Sequence, residues 1–100
     1  MRMMLATDGS ANAAIAATLV ENTRWPLGTS IDVVRVLEDA GRSGVRDAEE
    51  SLLGIAARLR NRDLSTAHAL LNGRPAGALL DWIDRHRPDL VVVGRVGIPS

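Results

Sequence analysis

The apolar positions of the chain fall into blocks that alternate between the continuous runs of buried strands and the three-to-four spacing of helices. Met3-Met4-Leu5-Ala6 is a short apolar run stopped by Thr7-Asp8-Gly9-Ser10, which predicts a strand followed by a tight turn. Ser10 fits the N-cap of an Ala-rich helix from Ala11 to about Asn22, with Ala11, Ile15 and Leu19 on its inner face. That helix has to end before Pro26, because the residue preceding proline avoids the helical region. Ile31 to Leu37 is β-branched and mostly apolar, the second strand, followed by a charged, Gly-rich loop from Glu38 to Arg46. Asp47 and Glu50 form a capping box for a second helix reaching about Arg62, with Leu52, Ile55, Ala56 and Leu59 inward. Thr66 to Leu71 is a weaker, alternating segment suited to a sheet edge. Pro75 fits the first position of a third helix running to about His86, with Leu79, Leu80 and Ile83 inward. Asp89 to Gly94 holds four consecutive apolar residues, the pattern of an inner parallel strand.

Strands and helices thus alternate from end to end, which predicts an α/β architecture: a parallel sheet with helices on both faces. At 100 residues, with 46% hydrophobic and 24% charged, the chain suits one globular domain spanning residues 1–100. Trp25 and Trp82 are its only aromatic residues, so the core must be built from Ala, Val, Leu and Ile.

Twelve basic residues balance twelve acidic ones, and that balance leaves no footprint for nucleic acid or an anionic membrane. All the basic residues are Arg; without Lys there is no P-loop lysine, and without Cys no thiol nucleophile or cysteine metal site. Asp8 interrupts the first apolar run too early for a signal peptide, and no stretch is long enough to span a membrane. A cytoplasmic location is expected. His68 and His86 have no acidic cluster beside them, so metal binding is not expected there. Trp82 is read as packing, and Arg58, Arg60 and Arg62 as a solvated helix end. No paired carboxylates and no Ser-His-Asp arrangement stand out, so no catalytic residue is assigned.

In open parallel sheets, ligands bind beyond the carboxyl ends of the strands where the strand order reverses. Two turns qualify: Ala6-Thr7-Asp8-Gly9-Ser10 after the first strand and Gly94-Arg95-Val96-Gly97 after the fourth. If those strands are neighbours, both turns face one crevice. Glycines there let backbone N–H groups approach a phosphate, and a helix N-terminus favours its charge. Asp8 suits a ribose hydroxyl or a metal ion beside phosphates. Each turn, taken singly, reads equally as plain strand-ending structure.

The same residues resemble a known family. Met3 to Ser10 looks like the opening strand and turn of the universal stress proteins. Val33-Val34-Arg35-Val36 resembles their second strand, where His is common at the place of Arg35. Gly73-Arg74-Pro75 resembles the opening of their third helix, and Asp89 to Gly97 their fourth strand with the first half of a G-x2-G-x9-G-[ST] motif. The resemblance implies a Rossmann-like, adenine-nucleotide-hydrolase-like open sheet of strand order 3-2-1-4. It also implies a stress-response regulator that binds ATP or another adenine nucleotide, with Mg2+ entering only alongside the nucleotide. Carried over position by position, Ala6 and Thr7 line the site and Asp8 contacts the ribose or phosphates. Val36 meets the adenine through its backbone, Val93 borders the pocket, and Gly94 and Gly97 match the first two motif glycines, while Arg95 reads equally as a phosphate contact from that turn or as an exposed side chain.

The departure lies after Gly97, where only Ile98, Pro99 and Ser100 follow, without the motif's spacer or its final Gly-Ser/Thr. Losing two or three charge-assisted hydrogen bonds, at about 1.5–3 kcal/mol each, is expected to weaken triphosphate binding by roughly 3–9 kcal/mol. Binding is therefore expected to be weak or dependent on an assembly, and any chemistry to be at most slow ATP hydrolysis or autophosphorylation. The short end also predicts that Leu90 to Val93 forms an open edge beside a part-covered face, the place for a homodimer or a partner protein. In the alternative reading, that edge is the whole function and the chain is an interaction module without a nucleotide.

Overall fold

In a computed structural model describing residues 1–38 and 41–94, strands and helices alternate in the expected order. The elements are β1 (Arg2–Thr7), α1 (Ala11–Asn22), β2 (Ser30–Leu37), α2 (Gly41–Arg60), β3 (Ser65–Asn72), α3 (Pro75–His86) and β4 (Leu90–Gly94). The strands form one sheet of order β3-β2-β1-β4, every pairing parallel. Right-handed crossovers then put α1 and α2 on one face and α3 on the other.

The core divides accordingly. Met3, Leu5, Ile31 and Val33 point to the α1/α2 face, packed with Ala17, Val20, Leu52 and Leu59. Met4, Ala6 and Val34 point to the other face, where Leu79, Trp82 and Ile83 of α3 cover them. No residue of α3 is fully buried, so this second layer is thin. Leu80, expected inward, is 66% exposed; Trp82 takes its place against the sheet.

Two helices differ from their sequence reading. In α1 the buried stripe is Ala13, Ala17 and Val20, while Ile15 and Leu19 are exposed. The helix lies so close to the sheet that only small side chains fit beneath its first turns. A Cβ added to Gly94 would stand 2.6 Å from Ala13 Cα and 2.8 Å from Ala16 Cβ. Helix α2 starts at Gly41, so Asp47 and Glu50 lie inside it and form no capping box. Ala48 is fully buried, and it extends the stripe of Leu52, Ala56 and Leu59 one turn toward the N-terminus. Burial along that stripe outweighs the roughly 1 kcal/mol that Gly44 costs within a helix.

Other local readings hold. Ser10 caps α1, its Oγ accepting from Ala13 N at 3.2 Å, and Pro75 opens α3. Trp25 Nε1 donates to Val20 O at 2.9 Å and closes the other end of α1. At the amino edge of the sheet, Asp89 N donates to Arg2 O and Arg2 N to Asp89 Oδ2, pinning the start of β4 to β1. β4 has no strand on its outer side among the described residues, and Val93 is 53% exposed. Among the described residues its apolar run therefore forms the edge of the sheet.

Candidate functional site

Thr7 and Gly94 are register partners, so the carboxyl ends of β1 and β4 stand side by side. β2 and β3 lie on one side of β1 and β4 on the other, which makes the β1/β4 junction the point of reversal.

The β1–α1 turn is built by its own side chains. Thr7 is buried and its Oγ1 accepts from Gly9 N at 3.2 Å; Asp8 Oδ1 accepts from Ser10 N at 2.9 Å. Gly9 has φ +78°, a left-handed conformation that glycine adopts without strain. Together these bonds turn the chain from the end of a buried strand into a capped helix whose first turn holds no acidic side chain.

The expected site residues sort by strand parity. Thr7 lies in a row with Arg35 of β2 and Gly94 of β4 on the α1/α2 face. Ala6 and its register partner Val93 point to the α3 face, as does Val36 by alternation from Val34. Ala6 is buried, Val36 half-buried and Val93 exposed. Gly94 serves first as a seat for α1, whose backbone occupies the space a side chain would need. Arg95 and Gly97 lie outside the described residues.

Two features were not foreseen. A crevice of about 320 Å³ opens between α1 and α2, with Thr7, Gly9 and Ser10 at one end and Glu50, Ser51 and Arg58 lining the rest. Ala6, Val36, Val93 and Gly94 do not line it. The second feature is Arg35, whose guanidinium lies against Gly9. The sequence signals for it were a charged residue between Val34 and Val36 in an apolar strand and its place where the family commonly has His.

The remaining polar side chains have structural work. Arg58 bonds Glu21 and Thr18 of α1, Arg62 reaches Asn22, and Arg60 donates to Thr66 O of β3. All three arginines are exposed, as expected of a solvated helix end, while their tips reach these partners. His86 stacks on Trp82 with ring centroids 3.8 Å apart, and its backbone carbonyl accepts from Arg2 Nη1. His68 is exposed, and among the described residues no group of three or more metal-ligating side chains gathers.

The model of the universal stress protein family matches residues 1–100. The chain belongs to the universal stress protein family. Solved structures carry the same fold at low identity. A universal stress protein from Burkholderia pseudomallei is 22% identical over 94% of this chain and 80% of its own, with a TM-score of 0.74. An Arabidopsis thaliana member with AMP bound is 19% identical over 98% of this chain and 78% of its own, TM-score 0.76. A universal stress protein in complex with cAMP is 18% identical over 100% of this chain and 80% of its own, TM-score 0.79. No curated protein matches the chain significantly. Among the described residues no helix of this universal stress protein is long and apolar enough to cross a membrane.

Proposed function

We propose that this universal stress protein is a cytoplasmic stress-response regulator that binds an adenine nucleotide at the carboxyl ends of β1, β2 and β4. The observation that carries the reading is the register of Thr7 with Gly94, which sets the Asp8-Gly9-Ser10 turn beside the end of β4 at the point where the strand order reverses. Bound AMP and cAMP in two structures of the same fold support adenosine monophosphates as the ligand class.

In this reading Asp8 receives the ribose hydroxyls, and the N-terminal turn of α1 faces the phosphate side. Ala6, Val36 and Val93 give the base an apolar wall, and Arg95 and Gly97 complete the far side. With Val93 half open to water, the wall shields a base only in part, which supports weak binding or binding completed within an assembly. Any Mg2+ arrives with the phosphates, since the residues of the turn supply one carboxylate. The role is regulatory, with ATP hydrolysis or autophosphorylation as slow side reactions at most.

Titration calorimetry with AMP and ATP tests the reading. Saturable heat is expected, weakened about tenfold in Asp8→Asn, which keeps the oxygen that receives Ser10 N–H and removes the charge. Absence of heat from every adenine compound overturns it. A second reading rests on a different observation, the open apolar edge of β4, and makes the chain an interaction module that pairs with a second copy of itself.

A further inference from the structure

Arg35 stands in the row Arg35–Thr7–Gly94 at the carboxyl end of the sheet, and its surroundings are unusual for a structural arginine. A Cβ built on Gly9 would stand 2.8 Å from Arg35 Cζ, Nη1 and Nη2 alike. Equal distances to the three atoms mean that the flat face of the guanidinium lies on the glycine. Its Nε is buried and has no hydrogen-bond partner, and none of the ion pairs among the described residues includes Arg35. A buried donor left unpaired costs free energy that a bound acceptor would return. Arg35 as a whole is partly exposed.

The cation therefore sits on the turn that leads into α1, where no acidic side chain occupies the first helical turn. Asp8 Oδ1 accepts from Ser10 N–H. A planar fork with free N–H groups, beside a helix N-terminus, matches the tetrahedral oxygens of a phosphate better than the neutral hydroxyls of a nucleoside.

We propose that Arg35 is the phosphate-selecting residue of this site, giving it preference for an adenosine monophosphate over adenosine. The adenosine half of this inference rests on the nucleotide reading above; the anion half stands on Arg35 itself.

The test compares wild type, Arg35→Gln and Arg35→Lys in calorimetric titrations with adenosine, AMP and inorganic pyrophosphate. Wild type is expected to bind AMP about 10- to 100-fold more tightly than adenosine, the range of one charge-assisted hydrogen bond. Arg35→Gln should bring the two within about threefold while leaving adenosine affinity unchanged, and Arg35→Lys should retain part of the preference. Equal binding of adenosine and AMP by wild type overturns the role of Arg35 and leaves the adenosine site standing. Equal loss of both ligands in Arg35→Gln makes the residue a prop for the turn and also overturns it. Binding of pyrophosphate that needs Arg35, without any adenosine binding, keeps the anion half alone, overturns the adenosine half and sinks the nucleotide reading. Should Arg35→Gln fail to fold, the Nε–H resonance of Arg35 in wild-type protein decides: it is expected to shift with AMP and not with adenosine, and a resonance unmoved by AMP rejects the proposal.

Discussion

At position 94 a side chain would meet the backbone of α1 before it met any ligand, since Ala13 Cα lies 2.6 Å from where its Cβ would be. The glycine is thus required by helix–strand packing whether or not a phosphate approaches it. Gly94→Ala is expected to lower stability by about 1–3 kcal/mol, the usual cost of overpacking, as read from urea unfolding. A glycine that follows a strand looks the same in sequence whether it seats a helix or cradles a phosphate. Gly9 is a different case: its positive φ and the guanidinium lying on it restrict position 9 twice, through conformation and through space. Asp8 was legible from its place after an apolar run. Arg35 was visible as an exception to the strand's pattern and to the family's His, but not its packing, because Gly9, on which it lies, is 26 positions away along the chain.

Helix α1 shows what an element's pattern leaves open. Its alanines sit on several faces, so Ala11, Ile15 and Leu19 form as regular a stripe as Ala13, Ala17 and Val20. The sheet selects the smaller set because it lets the helix approach closely, and Ile15 and Leu19 are left outside at 66% and 65% exposure. Ala17→Leu is therefore expected to cost about 1–3 kcal/mol, whereas Leu19→Gln should change stability by no more than about 0.5 kcal/mol; thermal or urea unfolding of the pair separates the two stripes. The opposite ordering would restore the stripe that periodicity suggested. The start of α2 follows the same logic. A Gly- and Ser-containing segment reads as loop until Ala48 is found buried against the sheet, and burial then carries the helix back to Gly41.

Across the whole molecule, the two faces of the sheet are unequally covered. Two helices lie on one face, and on the other α3 alone packs without a fully buried residue. β4, with the most apolar sequence of any strand, sits at the edge of the described sheet. Such an edge pairs with other chains unless it is charged or covered. Light scattering on size-fractionated protein is expected to show self-association rising with concentration, and Leu90→Lys should shift the population to monomer. Leu90 lies at the amino end of β4, away from the turn at Gly94, so nucleotide binding by that variant reports on the site independently of the edge. A monomer at every concentration would remove the interaction reading.

The sequence alone determined the order of strands and helices, the cap at Ser10, the start of α3 at Pro75 and the turn that follows β1. These are local properties: alternation of spacing, a hydroxyl before an Ala-rich run, a proline with its φ already fixed. Tertiary structure alone decided which stripe of α1 is buried, how far α2 extends, why position 94 has no side chain, and that Arg35 rests on Gly9. Each of those depends on how closely two distant segments approach, and distance between elements is set by packing in three dimensions, which periodicity along one chain does not encode.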